Sequence, residues 1–187
     1  MILLGVCAGD DIKVETVMAL LKTSNLPPDK TILFMKGGYV HVNRRNVVKR
    51  ALEMNVTHVM FIDHDMVFPP TGIDRLFKQK KDIIGGQYNV RAFPATSTVK
   101  MEDENGHFIN WNTLPEEPFQ CAALGTGFML IDINVFKKVE EPWFFFADLD
   151  GDEMTEDVYF CRKARKAGFE VWCDPTIPLS HLGQYAF

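Results

Sequence analysis

Short apolar runs alternate with amphipathic stretches through the first 62 residues, and this alternation constrains the fold more than any other feature. Residues 2–8 and 31–35 have the composition of buried strands, and 58–62 is a continuous apolar run typical of a central strand. The stretches at 14–21 and 44–54 carry apolar residues at helical spacing. Strands joined by helices predict parallel neighbours with right-handed crossovers. We therefore predict an α/β fold with a mostly parallel central sheet flanked by helices.

The second half of the chain continues with shorter segments. No repeat, low-complexity tract or linker divides the sequence, so we predict one compact domain over residues 1–187. The predicted elements are a short helix carrying Ile73 and Leu76, a strand over 83–88, a tight hairpin turn at Asn105-Gly106, a strand over 128–131, a short helix over 134–139, a helix over 155–168 and a closing strand over 171–173.

The charge balance argues against a nucleic-acid partner. The chain has 20 Lys and Arg against 25 Asp and Glu, whereas proteins that bind a phosphate backbone carry a basic patch. No segment reaches the ~18 consecutive apolar residues of a membrane span, and the first residues lack the basic start of a signal peptide. The four cysteines have no metal-binding spacing, so we expect reduced thiols in a cytoplasmic protein.

Three polar groups are candidates for chemistry. Asp63-His64-Asp65 directly follows the apolar run 58–62, and the carboxyl ends of parallel strands line the ligand crevice of an α/β sheet. Two carboxylates at such an end can share a divalent cation and its phosphates, although an acidic turn is the alternative.

The other two candidates lie in the second half of the chain. Glu156 and Asp157 fall in the first turn of a predicted helix, where acids complement the helix dipole. A carboxylate there can also act as a general base. His181 is either a packed residue or an additional ligand for a cation that carboxylates already hold.

These features, in this order, resemble the glycosyltransferases of the GT-A fold, especially the family 2-like group. The resemblance covers nearly the whole chain. The segments that carry it are Arg45-Asn46, Phe61-Ile62-Asp63-His64-Asp65, Gly85-Gly86-Gln87-Tyr88 with Arg91, Gly125 to Ile131, Pro142-Trp143-Phe144, Thr155 to Cys161, and Asp174-Pro175 with His181-Leu182-Gly183. The resemblance implies a Rossmann-like GT-A sandwich with a nucleotide-sugar-binding half (1–91) and an acceptor and catalytic half (92–187).

The resemblance also implies a divalent cation, Mn²⁺ or Mg²⁺, at the diphosphate of a UDP- or GDP-sugar. Asp65 and His181 would be its ligands. Asp63 would contact the ribose or reach the metal, directly or through water, and His64 would lie at the donor phosphates. The cation would neutralise charge on the departing nucleoside diphosphate.

The remaining roles concern the nucleoside, the sugar and the acceptor. By resemblance, the turn at Ala8 and Asp10 holds the nucleoside, with Asp10 either bonding the base or serving as a plain turn acid. Arg45 contacts phosphate or forms a surface salt bridge. The pocket around Gln87, Tyr88 and Gly127 would determine the choice of sugar. The Glu156-Asp157 pair would be catalytic, with Asp157 as the base if the transfer inverts; the pattern is closer to inverting members, but retaining enzymes of the same fold carry acids in similar places.

Acceptor recognition and the competing functions remain open at this stage. Trp143, the first of four consecutive aromatic residues, is either a sugar platform, since aromatic faces stack on sugar rings, or a core anchor. The chain ends six residues after His181, so a partner or a second copy could complete the site for a carbohydrate or other hydroxyl acceptor. The alternatives are a sugar nucleotidyltransferase, which the acidic segment Gly9-Asp10-Asp11 disfavours, and a non-catalytic nucleotide-sugar-binding module.

Overall fold

The alternating pattern at the start of the chain folds as predicted. The computed structural model describes residues 1–24, 28–111, 113–149 and 152–183. Its opening elements are β1 (Ile2–Ala8), α1 (Val14–Ser24), β2 (Lys30–Lys36), α2 (Val40–Glu53) and β3 (His58–Asp63). β1 pairs in parallel with both β2 and β3, which confirms the predicted βαβαβ unit.

Shorter elements follow, and most lie where the sequence predicts them. They are β4 (Met66–Val67), α3 (Gly72–Lys78), β5 (Ile83–Gly86), β6 (Lys100–Glu102), β7 (Phe108–Asn110), β8 (Phe119–Cys121), β9 (Phe128–Asp132), α4 (Ile133–Lys138), β10 (Ala147–Leu149), β11 (Asp152–Met154), α5 (Glu156–Lys166), β12 (Val171–Asp174) and β13 (Ser180–His181). Asp132 caps α4 by accepting a hydrogen bond from the Asn134 N–H at 2.7 Å, and Gly168 follows α5 with φ 89°.

The main sheet is mixed, so the prediction of a mostly parallel sheet is wrong. Its seven described strands have the order β2-β1-β3-β9-β5-β12-β8. Three neighbouring pairs are parallel, but β9 runs antiparallel between β3 and β5, and β8 pairs antiparallel with β12. A buried apolar run does not encode strand direction, which explains the error.

Two local predictions also need correction. β12 does not close the sheet, because β8 forms the edge beyond it. β6 and β7 form the predicted hairpin, but they are joined by a five-residue loop, 103–107, and not by a tight two-residue turn. The Asp103 carboxylate orders this loop by accepting hydrogen bonds from the N–H groups of Asn105 and His107, each at 2.9 Å.

Apolar side chains cover both faces of the sheet. One layer contains α2, α4 and α5, with Val47, Phe136 and Phe160 among its buried residues. The other packs Leu20 of α1 and Leu76 of α3 against the opposite face. At the carboxyl end of β3 the apolar run gives way to Asp63, His64 and Asp65. Among the described helices, none is long and apolar enough to cross a membrane.

Candidate active site

A cavity of about 330 Å³ opens at the carboxyl ends of β1 and β3. The amino-terminal ends of α2 and α5 form its other wall. Seven of the predicted site residues line the cavity: Ala8, Asp63, His64, Asp65, Glu156, Asp157 and His181. The sequence places these residues far apart, so their convergence results from the tertiary fold.

Asp65 is the most deeply buried carboxylate of the cavity, with 1% of its surface exposed. Arg91 Nη1 lies 2.7 Å from one carboxylate oxygen and His181 Nε2 lies 3.3 Å from the other. Burial alone would raise the pKa of Asp65, but the neighbouring His181, His64 and Arg91 outweigh burial and hold the pKa below its usual value. Asp65 is therefore an anion at neutral pH.

His181 reaches Asp65 through a short pair of strands. β13 pairs antiparallel with β4, so that His181 lies opposite Met66, the residue after Asp65. The Leu182 N–H also donates a hydrogen bond to the Asp65 carbonyl at 2.9 Å. Two consecutive backbone contacts thus fix the imidazole beside the carboxylate.

The imidazole of His181 has a defined orientation. Its Nδ1 lies 3.0 Å from the Asn89 carbonyl oxygen, and because a carbonyl only accepts, Nδ1 carries the hydrogen. Nε2 is left facing Asp65. Burial lowers the pKa of His181, but the contacts with Asp65 and the Asn89 carbonyl outweigh burial and raise the pKa above its ordinary value. A histidine held in this way through its other nitrogen is typical of metal ligands.

Asp65 and His181 fit a divalent cation. Over the described ranges, neither buried oxygen of Asp65 has a donor in hydrogen-bonding geometry, despite the close cationic groups. Carboxylate oxygen and imidazole nitrogen are suitable ligands for Mn²⁺ and Mg²⁺. In the part of the chain that the structure describes, no group of three or more His, Cys, Asp or Glu side chains could hold a metal ion. A cation here would therefore need further ligands from substrate phosphates or water, as is common for Mg²⁺.

Asp63 and Glu156 are bound by one buried arginine that the sequence analysis missed. Arg44 Nη2 donates to Asp63 Oδ1 at 2.9 Å, and Nη1 donates to Glu156 Oε1. Burial lowers the pKa of Arg44, but the two carboxylates more than offset burial and raise the pKa above its ordinary value. Removing one partner from a buried ion pair typically costs about 3–5 kcal/mol.

Glu156 and Asp157 differ sharply although they are adjacent. Both line the cavity, but Glu156 is buried against Arg44 whereas Asp157 is half-buried. The Asp157 carboxylate accepts hydrogen bonds from the Thr155 hydroxyl and, at 2.8 Å, from the Val158 N–H. Asp157 is therefore the better placed of the two for proton transfer.

The other four predicted residues lie outside the cavity lining: Asp10, Arg45, Gln87 and Gly127. Asp10 is exposed on the turn after β1, and Arg45 is half-buried on α2 next to Arg44. Gln87 donates a hydrogen bond to the Asn89 side chain at 2.9 Å.

Arg44, and not its neighbour Arg45, faces the site. Arg44 lies three and four residues before the buried Val47 and Val48, which puts it on the same face of α2. That helical spacing was the sequence signal that could have identified it.

Gly127 lies directly behind the cavity. Its N–H donates to the Tyr88 hydroxyl at 2.8 Å, and its carbonyl accepts from the Asp63 N–H at 3.0 Å. A Cβ at this position would come within 2.6 Å of the Tyr88 hydroxyl and 2.8 Å of Asp63 Oδ2. Glycine is thus required for the close approach of β9 to the carboxyl end of β3. Tyr88, which the sequence analysis placed with Gln87 and Gly127 around the sugar, completes this contact and lines the cavity.

Trp143 is not a sugar platform, contrary to the prediction. It is buried, its Nε1–H donates to the Val139 carbonyl at 2.8 Å, and its ring packs edge-on against Phe136. The exposed members of the same aromatic run are Phe145 and Phe146. The run therefore serves mainly as a core anchor at its first two positions.

Comparisons with known proteins establish the fold alone. No protein-family model and no curated protein matches this sequence. The crystal structure of A197 from STIV is similar, with a TM-score of 0.70 and 19% sequence identity over 98% of this chain and 87% of that one. One fold hosts many activities, so the function has to be argued from the residues of the cavity.

Proposed function

We propose that this protein is a metal-dependent glycosyltransferase that transfers a sugar from a nucleoside-diphosphate sugar to an acceptor hydroxyl. The observation that carries the proposal is the Asp65–His181 pair. It lies in a cavity, and both buried carboxylate oxygens lack a hydrogen-bond donor among the described residues. Ion pairs with Arg91 and His181 compensate the charge of this carboxylate in the free protein, and a cation with its bound diphosphate would engage its oxygens directly.

The architecture supports a Rossmann-like GT-A sandwich within this class. The cavity is at the carboxyl edge of the parallel strands β1 and β3, the usual ligand position in open α/β sheets. β9 is the antiparallel strand that follows Gly127, and it brings Gly127 next to Asp63. Residues 1–91 would bind the donor and residues 92–187 would supply Asp157 and the acceptor side.

The donor would lie in the cavity, across the ends of the strands that line it. Asp65 and His181 would hold Mn²⁺ or Mg²⁺, which supplies charge neutralisation on the leaving diphosphate. Arg91, which contacts Asp65 in the free protein, is within reach of the same phosphates. The nucleoside of a UDP- or GDP-sugar would extend towards Ala8 at the end of β1.

The chemical step would use Asp157. Its carboxylate would accept the proton of the acceptor hydroxyl, whose oxygen bonds to C1 of the sugar as the bond from C1 to the diphosphate oxygen breaks. The configuration at C1 would be inverted. Glu156 would support this step indirectly through Arg44, since its carboxylate is already paired.

The proposal includes a cytoplasmic location. The four cysteines are free, buried thiols, which agrees with it.

The decisive experiment is calorimetric titration of UDP and GDP with and without Mn²⁺. We expect binding that requires Mn²⁺ and is lost in Asp65→Asn, which keeps the side-chain shape and removes the charge. Asp82→Asn is the matched control, because Asp82 is exposed just before β5. Equal binding with and without metal would contradict the proposal.

A second measurement tests the base and separates the competing functions. Asp157→Asn should keep the donor affinity and lose at least about 100-fold in turnover, the lower end of the contribution of general bases. Release of pyrophosphate from a nucleoside triphosphate and a sugar phosphate would instead identify a nucleotidyltransferase. Binding of a nucleotide sugar without any transfer or hydrolysis would identify a non-catalytic module.

A further inference from the structure

We propose that Arg44 is a positioning residue that locks the donor-side carboxylate Asp63 to the start of α5 and thereby sets the place of Asp157 relative to Asp65. The catalytic consequence rests on the function proposed above, whereas the lock itself is a property of the fold. Arg44 touches neither of the two residues whose separation it would control.

The guanidinium of Arg44 joins elements that are distant in the sequence. Only 3% of its surface is exposed. Its two terminal nitrogens contact Asp63, 19 residues away at the end of β3, and Glu156, 112 residues away at the start of α5. Each contact is therefore long-range, and together they tie α5 to the central strand β3 by way of α2.

Both bound carboxylates are close neighbours of a functional residue. Asp65 follows Asp63 by two residues, and Asp157 directly follows Glu156. Consecutive Cα atoms are about 3.8 Å apart, so a shift of Glu156 moves Asp157 by a similar amount. A bond between Asp63 and Glu156 through Arg44 thus fixes the distance between the cation ligand and the base.

The chemistry of the triad requires an arginine. One planar guanidinium presents its two terminal N–H₂ groups in a rigid fork and can hold two carboxylates at once, whereas a lysine ammonium is a single point on a flexible stem. The same guanidinium lines the cavity, and within the described part of the chain its buried Nε has no hydrogen-bond partner. A purely stabilising contact has no need to be built at the cavity wall.

The charges of Arg44, Asp63 and Glu156 make the connection between β3 and α5 strong. Asp63 and Glu156 are both acidic and converge on one buried cation, so each would be left without its partner if Arg44 were removed. Buried charges without partners are costly and relax by moving towards water. The start of α5 would therefore shift in the absence of Arg44, and Asp157 would move with it.

The test compares Arg44→Lys with Arg50→Lys. Arg50 lies on the same helix but is exposed and pairs with Glu53 of that helix. Hydrogen exchange of the peptide covering residues 152–160 reports the start of α5 without any need for activity. We expect exchange in this peptide to accelerate at least 10-fold in Arg44→Lys and to remain unchanged in Arg50→Lys. Unchanged exchange in Arg44→Lys would overturn the lock.

Steady-state kinetics then test the catalytic consequence. A misplacement of about 1 Å can reduce the rate about 100-fold, so Arg44→Lys should lower kcat by that order while changing the donor KM less than about 3-fold. If kcat falls only in proportion to the fraction of folded protein, Arg44 has a structural role alone. If the wild-type protein transfers no sugar, the proposed function fails, and the exchange result still decides whether the lock exists.

A double-mutant comparison covers the case in which Arg44→Lys folds poorly. Arg44→Met leaves both Asp63 and Glu156 without their cation, and Glu156→Gln leaves Arg44 paired with Asp63 alone. The double variant removes both members of the Arg44–Glu156 pair. We expect the loss of melting temperature in the double variant to be smaller than the sum of the two single losses. Additive losses would contradict a direct connection between α2 and α5.

Discussion

The Asp65–His181 pair makes the stability of the metal-free protein depend on pH. The folded-state pKa of His181 is raised, so its contribution to the free energy of unfolding is complete below the unfolded value of about 6.5 and is lost as the pH rises through the folded value. The destabilisation caused by His181→Gln should therefore be larger at about pH 6 than at about pH 9, by up to about 1 kcal/mol. Urea denaturation in the presence of a chelator measures this difference. An equal effect at both pH values would show that the imidazole is not paired with Asp65.

Gly127 provides a second prediction at the residue scale. Gly127→Ala places a Cβ within 3 Å of Tyr88 and Asp63, and such overpacking typically costs about 1–3 kcal/mol. Gly9→Ala is the control, because a Cβ there has nothing within 4 Å. Urea denaturation should show a clear loss of stability for Gly127→Ala and none for Gly9→Ala. Equal stability of the two variants would mean that β9 moves away at no cost.

At the residue scale, the sequence predicts the position of a residue well where its motif is tied to the end of a regular element. Asp63 ends β3, Asp65 follows it two residues later, and Asp157 lies in the first turn of α5, as the pattern predicts. The chemical roles of these residues stay predictions. Arg45 was chosen over Arg44 because the resemblance to a family motif was followed instead of the helical spacing. Trp143 failed because four adjacent aromatic residues do not reveal which ones face the core.

The pairing of β13 with β4 is the element that brings His181 to the cavity. Leu182→Pro removes the N–H that donates to the Asp65 carbonyl, since proline has no backbone donor. Mn²⁺ affinity should fall about 10–100-fold, the usual effect of losing a residue that orients a metal ligand. Leu182→Ala keeps the N–H and should bind Mn²⁺ as the wild type does. Calorimetric titration of both variants with Mn²⁺ and UDP distinguishes backbone pairing from side-chain packing.

The long elements were predicted well. The short strands and the direction of β9, which depend on pairing with distant segments of the chain, were predicted poorly. The opening helices and strands have strong periodicity, and their existence followed from local sequence. β8, β10, β11 and β13 have two or three residues each, too few for any periodic signal. The antiparallel course of β9 depends on neighbours that are distant in the sequence. These features required the tertiary structure.

At the scale of the whole molecule, the two halves of the chain share one sheet. β9, from the second half, lies between β3 and β5 of the first half. Neither half therefore has a complete set of neighbours by itself. We expect differential scanning calorimetry to show one cooperative transition in which the calorimetric and van't Hoff enthalpies agree, as in two-state unfolding. Two resolved transitions would mean that the halves are independent folding units.

The buried triad of Arg44, Asp63 and Glu156 constrains which substitutions can accumulate during evolution. Replacement of Arg44 alone by a neutral residue leaves two acids in the interior without their cation, whereas coordinated replacement of all three by apolar or neutral residues avoids this. Descendants of an ancestral gene for this protein should thus retain all three amino acids or exchange them jointly. If the proposed transferase activity is the reason for keeping the triad, a lineage without that activity should lose the arginine and both acids together.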